Sequence, residues 1–254
     1  MTSLSPPPSS SSSPGFHVEP HIRESNYIRD VVFGFGDGVN TSLGIVAGVG
    51  GADVAANIVI LSALVGMFTG AKAMAVQNYL AVKSQREILQ SEIKREQHEI
   101  ENMPDRERKE IEDIYRAKGF EGEELTKVVD KITSNKDVWL KTMLTEELGL
   151  NLEILGSPIK GAFVMFGAFL LGGILPIIPY FLFGNGLIAI EFAIGISVSS
   201  SFIVGALKAK LAKKNWIKGG LEMAGLGTGI ALVGYGIGSW LANTGIINTS
   251  LLKE

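Results

Sequence analysis

Glu96 and Glu99 stand three residues apart, and so do Glu107 and Glu110. On a helix that separation puts two carboxylates on one face, about 5–6 Å from each other at Cβ. Between the two pairs lies Pro104, a residue favoured in the first turn of a helix and unfavourable inside one. If the chain folds back there, the four carboxylates converge, joined by Glu147 and Met143 from a later helix. Such a pocket is hard and rich in oxygen with one soft sulfur, a mixture that suits divalent first-row metals. His98, between the first pair, is a candidate accessory ligand. Spacing alone leaves a second reading open, because charged helix faces commonly do no more than face water. This stretch also carries the Lys and Arg partners that such faces use.

A different carboxylate sits in "FGFGDGVNTSLGIVAGVGG", residues 33–51, a glycine-rich apolar run that contains Asp37 with Asn40 and Thr41 close behind it. A carboxylate is costly in hydrocarbon, so it is expected to face the protein interior and to serve cations or protons. Lys72 raises a similar question in the next apolar segment, about 16 Å of helix before Lys83. At that depth it needs a carboxylate or water, and Asp37, Glu191 and Glu222 are the candidate partners.

The elements that must position these residues follow from an uneven charge distribution. Residues 83–150 hold 13 Lys+Arg and 17 Asp+Glu, 30 of the 49 charged residues in a chain of 254. The remainder is nearly uncharged and contains runs such as "GAFVMFGAFLLGGILPIIPYFLFG", longer than the roughly 20 residues a helix needs to cross a bilayer. The pattern predicts an all-α polytopic membrane protein with five transmembrane helices, at about 28–50, 54–82, 158–183, 187–208 and 217–243, and a helical insertion between spans 2 and 3. A Ser/Pro-rich tail (1–22), expected to be disordered and without the features of a signal peptide, precedes spans 1–2 (23–82). The insertion (83–157), spans 3–5 (158–246) and a short C-terminal tail (247–254) follow. Lys and Arg gather before span 1, in the insertion and in "KAKLAKKNWIK" between spans 4 and 5. By the positive-inside rule those segments, the N-terminus included, are cytosolic and the C-terminus lies across the membrane.

Within the insertion, no Gly or Pro interrupts the 25 residues from Tyr79 to Met103, so span 2 is expected to continue into the cytosol as one helix. A second helix runs from Pro104 to Gly119, a third covers about 121–133, and "DVWLKTMLTEEL" makes a fourth.

The chain resembles the vacuolar iron transporter family in "IRDVVFGFGDGVNTSLGIVAGVGG", "AMAVQNYLAVKSQ", "IKREQHEIENMPDRERKEIEDI", "WLKTMLTEELGL" and "GGILPIIPYF". The likeness is close from span 1 to the end of span 3 and rests on position and length in spans 4 and 5. It implies a homodimer of five-span subunits that exports Fe(II), and often Mn(II), from the cytosol in exchange for protons. The insertion would be its cytosolic metal-binding domain, with no cofactor beyond the bound or transported metal. The family's metal ligands there fall on Glu96, Glu99, Glu107, Glu110, Met143 and Glu147, while its second methionine is Leu144 here. Its translocation aspartate falls on Asp37 and its span 2 methionine on Met74, but its span 2 glutamate falls on Gly66. That departure keeps a second reading alive, a transport-impaired membrane-bound metal sensor or buffer.

Other classes are less well supported. A carboxylate-bridged di-iron oxidase uses Glu-x-x-His pairs, and the residue three before His98 is Arg95. The string "GFGDG" lacks the strand and third glycine of a dinucleotide fingerprint. The expected partners are therefore divalent metal ions, protons, the lipid bilayer and a second copy of the chain, without nucleic acid.

Overall fold

The computed structural model describes residues 21–149, 156–184 and 186–244, which form nine helices and no strand. In chain order they are α1 (His21–Gly51), α2 (Ala56–Asn102), α3 (Pro104–Ala117), α4 (Gly122–Thr133), α5 (Lys136–Glu146), α6 (Pro158–Ile174), α7 (Ile178–Phe183), α8 (Leu187–Leu211) and α9 (Trp216–Asn243). Five stretches are long and apolar enough to cross a membrane, in α1, α2, α6 with α7, α8 and α9. Helix α1 starts at His21 and so takes in the last residues expected in the tail. The rest of both tails lies outside the described residues.

The third span corrects the expectation of a single helix over 158–183. Helix α6 ends at Ile174 and α7 begins at Ile178. Pro176 lies in the break and Pro179 in the first turn of α7; a proline inside a helix removes a hydrogen bond and crowds the carbonyl four residues back. The run is apolar throughout, so hydropathy conceals the interruption.

Helix α1 is the hub of the apolar bundle, packing against α6, α9, α2 and α8. Its glycines allow this. A Cβ at Gly38 would overlap the Phe169 carbonyl of α6, and one at Gly238 of α9 would overlap the Gly48 carbonyl of α1. Helices without a side chain at the crossing approach closely and gain dispersion contact, the chief source of helix association in lipid. Around these crossings Val46, Val59, Met67, Phe169 and Ile177 form the buried core.

Helix α2 is 47 residues long, about 70 Å at 1.5 Å per residue, more than twice the ~30 Å of a hydrocarbon core. Its second half is the first helix of the insertion. At Met103 the backbone leaves the helix (φ −133°, ψ 49°), and Pro104 opens α3 at the position where its missing N–H costs nothing. Gly119, with φ +96°, lies just past the end of α3. The side chain of Asn135 starts α5 by accepting from the N–H groups of Asp137 (2.9 Å) and Val138 (3.2 Å). These helices close on one small core of Ile100, Ile111, Leu125, Val129, Ile132, Trp139 and Met143. Full burial of such an aliphatic side chain contributes about 1.5–3 kcal/mol, and the charged residues other than Glu96 and Glu107 lie towards the outer faces.

Candidate metal centre

The turn at Met103 brings the two glutamate pairs together. Carboxylate oxygens of Glu96, Glu99 and Glu107 lie within 4.8 Å of one another, and so do those of Glu107, Glu110 and Glu147. Glu107 therefore belongs to both groups. Glu96 and Glu107 are each 1% exposed, held in place by the neighbouring core residues Ile100 and Ile111, which lie one turn further along the same helix faces. Glu147 reaches the group from the C-terminal cap of α5, where its N–H donates to the Met143 carbonyl at 3.0 Å.

Oε1 of Glu96 and both carboxylate oxygens of Glu107 are buried and take no hydrogen bond from any other residue; the one bond open to the pair is between themselves, from a protonated Glu96 to Glu107. Buried carboxylate oxygens without other donors are costly, and a shared proton or a cation relieves them. The electrostatics agree. Burial, then the neighbouring Glu147 and Glu107, push Glu96 up to about 8. Burial and then Glu110 raise Glu107, and burial followed by Glu110 and Glu99 raises Glu147. At the rim, Arg106 donates to Glu110 at 3.1 Å, and Arg95 and Arg106 both favour the charged form of Glu147, two guanidinium groups beside five carboxylates. Oxygen donors at this spacing fit a divalent ion, or two ions sharing Glu107.

Met143 and Leu144 are fully enclosed, and Met143 is part of the bundle core one turn before Glu147. Leu144, where the resemblance implies a methionine, keeps the volume and offers no sulfur. His98 stands apart. It is exposed and its Nδ1 lies 3.0 Å from Asn102 Nδ2, so among the described residues it joins neither carboxylate group.

Among the apolar helices, a cavity lies on either flank of α1. The first, of about 420 Å³, is lined by Asp30, Met74, Asn78 and Met165. Its Asp30 is buried, with Oδ1 bound by Arg29 at 3.1 Å. The other, of about 510 Å³, lies against α8 and α9 and is lined by Asp37, Asn40, Lys208, Glu222 and Met223. Asp37 and Met74, expected along one route, thus line different cavities. The reason is the central place of α1, whose successive residues face different neighbours. Asn40 shares the cavity of Asp37, whereas Thr41, half-buried, does not line it. Gly66 faces α1, where an added Cβ would meet the Ile45 side chain.

Lys72 meets none of its expected partners. It is exposed on the flank of α2 that also presents Val65, Phe68 and Val76. Helix α2 packs on α1, α6 and α7, while Glu191 is on α8, Glu222 on α9, and Asp37 faces the α8/α9 side of α1. Among the described residues no ion pair joins Lys72 to any of the three. Sequence reasoning missed three lining residues, Asp30, Glu222 as a neighbour of Asp37, and Met223. Glu222 and Met223 are adjacent near the start of the last span, and that adjacency is the only signal they carry.

A central glycine-rich helix ringed by apolar helices, with an acidic helical insertion between the second and third spans, defines a multi-pass membrane protein with a candidate cation site. The sequence profile of the VIT family matches residues 28–239, and the chain belongs to that family. It is similar to vacuolar iron transporter 1 of Arabidopsis thaliana, 31% identical over 211 residues that cover 83% of this chain and 84% of that protein. The vacuolar iron transporter of Toxoplasma gondii is 34% identical over 237 residues, 89% of this chain and 78% of its own length. Vacuolar iron transporter 1 of Tulipa gesneriana is 30% identical over 236 residues, 92% and 96% respectively. These matches extend the likeness through α8 and most of α9.

Proposed function

We propose that this chain transports divalent metal, Fe(II) and also Mn(II), out of the cytosol in exchange for protons, working as a homodimer. The observation that carries the reading is the pair of carboxylate groups sharing Glu107, with buried oxygens that no other residue serves as donor. Relatives named as vacuolar iron transporters support the choice of metal. The bundle of α3, α4, α5 and the second half of α2 is the cytosolic metal-binding domain, an orientation supported by the lysines and arginines at the same end of the chain's spans. Glu96, Glu99, Glu107, Glu110 and Glu147 collect the ion, with Met143 beside them. Asp37 carries it through the membrane region. Proton exchange and the dimer rest on the resemblance of the whole chain to its family.

Purified protein in proteoliposomes tests this. Fe(II) uptake driven by a proton gradient is expected in the native chain and is abolished by Asp37→Asn, which keeps the shape of the side chain and removes its charge. Uptake at the native rate in that variant would eliminate the route. Metal binding without any uptake in the native chain would instead identify a sensor or buffer.

A further inference from the structure

We infer that the short connection between α8 and α9 is a docking surface for anionic phospholipid headgroups, built from Lys208, Lys210, Lys213, Lys214 and Lys218. The surface lies outside the glutamate cluster and stands whether or not the transport reading holds. Five lysines fall within the stretch 208–218, and no aspartate or glutamate occurs between Glu191 and Glu222. All five are exposed, and among the described residues none of them takes part in an ion pair. The insertion differs, since its cations are met within the chain: Glu92 holds Arg95 and Glu123 holds Lys127, each at 2.7 Å. The counter-charge for the connection must come from outside the subunit.

Three observations point to a membrane surface as its source. Leu207, Leu211, Ile217 and Leu221 are exposed, so both helices keep apolar sides up to the connection and the lysines are interleaved with side chains that suit lipid. The ammonium groups therefore stand where hydrocarbon gives way to headgroups, with long stems that can lie along the apolar surface. Trp216, the first residue of α9, is also exposed, its ring edge-on to Phe202 with 6.4 Å between centroids; a tryptophan so placed is an interfacial anchor. Finally, the connection is held firmly. The Lys213 N–H donates to the Lys210 carbonyl at 3.0 Å and the Lys214 N–H to the Ala209 carbonyl at 2.8 Å. The Asn215 side chain accepts from Ile217 at 3.0 Å and Lys218 at 3.3 Å. Docking then needs little further ordering of the backbone. Lys213 has φ +54°, a conformation that glycine ordinarily supplies just past a helix, so a charge occupies a place where the backbone alone favours none.

The chemistry selects the lipid. A phosphodiester headgroup with no cation of its own offers a full negative charge and oxygens that accept from ammonium, whereas choline neutralises the phosphate it is attached to. Clusters of four to eight basic residues beside a span draw anionic lipids in this way, over a range of about a Debye length. The acidic insertion of a second copy is the competing partner, but its charged outer faces would meet Leu211, Trp216 and Ile217 without gain. Lys208 also lines the Asp37 cavity, so a headgroup bound here stands beside that cavity.

The test adds phosphatidylglycerol or phosphatidylcholine to the full chain in neutral detergent and reads retained lipid by native mass spectrometry and stability by thermal unfolding. The native chain should retain phosphatidylglycerol at least about tenfold over phosphatidylcholine and melt at a higher temperature with it. The triple variant Lys210→Gln, Lys213→Gln, Lys214→Gln should lose most of that preference. Lys127→Gln, Lys131→Gln, Lys141→Gln, which removes the same charge from exposed positions of the insertion, should keep it. Lys213→Gly suits the positive φ, so it should melt no lower than the native chain without lipid and still bind less phosphatidylglycerol, a pair of results that a structural role for the lysine does not predict. Equal retention of the two lipids by the native chain would overturn the proposal, as would equal losses in the two triple variants. Inorganic phosphate reproducing the thermal shift would replace the lipid by a free anion. A connection triple variant that keeps the lipid preference but falls to a lower mass by light scattering would place these lysines against a second copy instead.

Discussion

The carboxylates of Glu96 and Glu107, on opposite sides of the Pro104 turn, approach within 4.8 Å although each residue is only 1% exposed. Two buried like charges oppose folding unless a cation or a proton lies with them. The arrangement therefore trades stability of the metal-free chain for affinity. Glu96→Gln with Glu107→Gln is expected to weaken Fe(II) or Mn(II) binding at least about a hundredfold, at the upper end of what loss of metal-site partners costs. The same change should raise the melting temperature of the metal-free protein. Calorimetry and thermal unfolding of the full chain in detergent check both, and a variant with native affinity would show that the ion binds elsewhere.

Acid should act on the two states in opposite directions. Glu96 is raised from an ordinary 4.5 to about 8 by burial and neighbouring carboxylates, so the metal-free fold favours the protonated form. Its contribution to stability is fully present below pH 4.5 and is lost as pH rises through about 8. Metal requires the ionised form, so affinity falls as pH drops from 8 towards 4.5, the window set by that shift. Binding at neutral pH must then release protons. Titrations in two buffers of different ionisation enthalpy should give different heats at pH 7 and converging heats at pH 9. Equal heats at pH 7 would show that Glu96 was already ionised.

Much of this centre is legible in the sequence because each step has a local cause. Pro104, Gly119 and Asn135 mark helix boundaries through their own backbone chemistry, and spacing of three puts each glutamate pair on one face. Those features bring Glu96, Glu99, Glu107 and Glu110 together without knowledge of the remaining fold. The membrane region is less legible. Helix α1 has neighbours on four sides, and no local pattern states which of them Asp37 faces. Family resemblance pairs Met74 with Asp37; in the structure the two line different cavities, and Met223, distant in sequence, lines that of Asp37. The break at Pro176 is hidden for another reason, since an apolar run of the right length satisfies the membrane criterion whether or not it is one helix.

Close packing around α1 gives a prediction about backbone contact. At Gly38 an added methyl group would overlap the Phe169 carbonyl, a backbone atom that no rotamer change can move aside. Overpacking of this kind typically costs about 1–3 kcal/mol. Gly38→Ala should therefore lower the thermal stability of detergent-solubilised protein, while Gly167→Ala, where an added Cβ meets nothing within 4 Å, should not. Equal stability of the two variants would contradict the α1–α6 crossing.

Lys72 gives the sharpest departure from expectation. A lysine bonded to a buried carboxylate would leave that carboxylate unpaired on substitution, and Lys72→Met would damage the fold. In the structure it faces outward instead, on a flank with Phe68 at 55% and Val76 at 51% exposure. A lysine near the centre of an apolar helix costs roughly 2.5–3.5 kcal/mol in lipid, reduced by snorkelling of its long side chain. Replacing it with methionine removes that cost and strands no partner. Lys72→Met is thus expected to hold or raise the melting temperature in detergent and to leave metal binding by the glutamate cluster unchanged. Thermal unfolding, calorimetry and light-scattering mass should be measured on the same preparation. A dimer that dissociates in the variant, with the monomer still folded, would place the exposed flank that carries Lys72 in a contact between subunits.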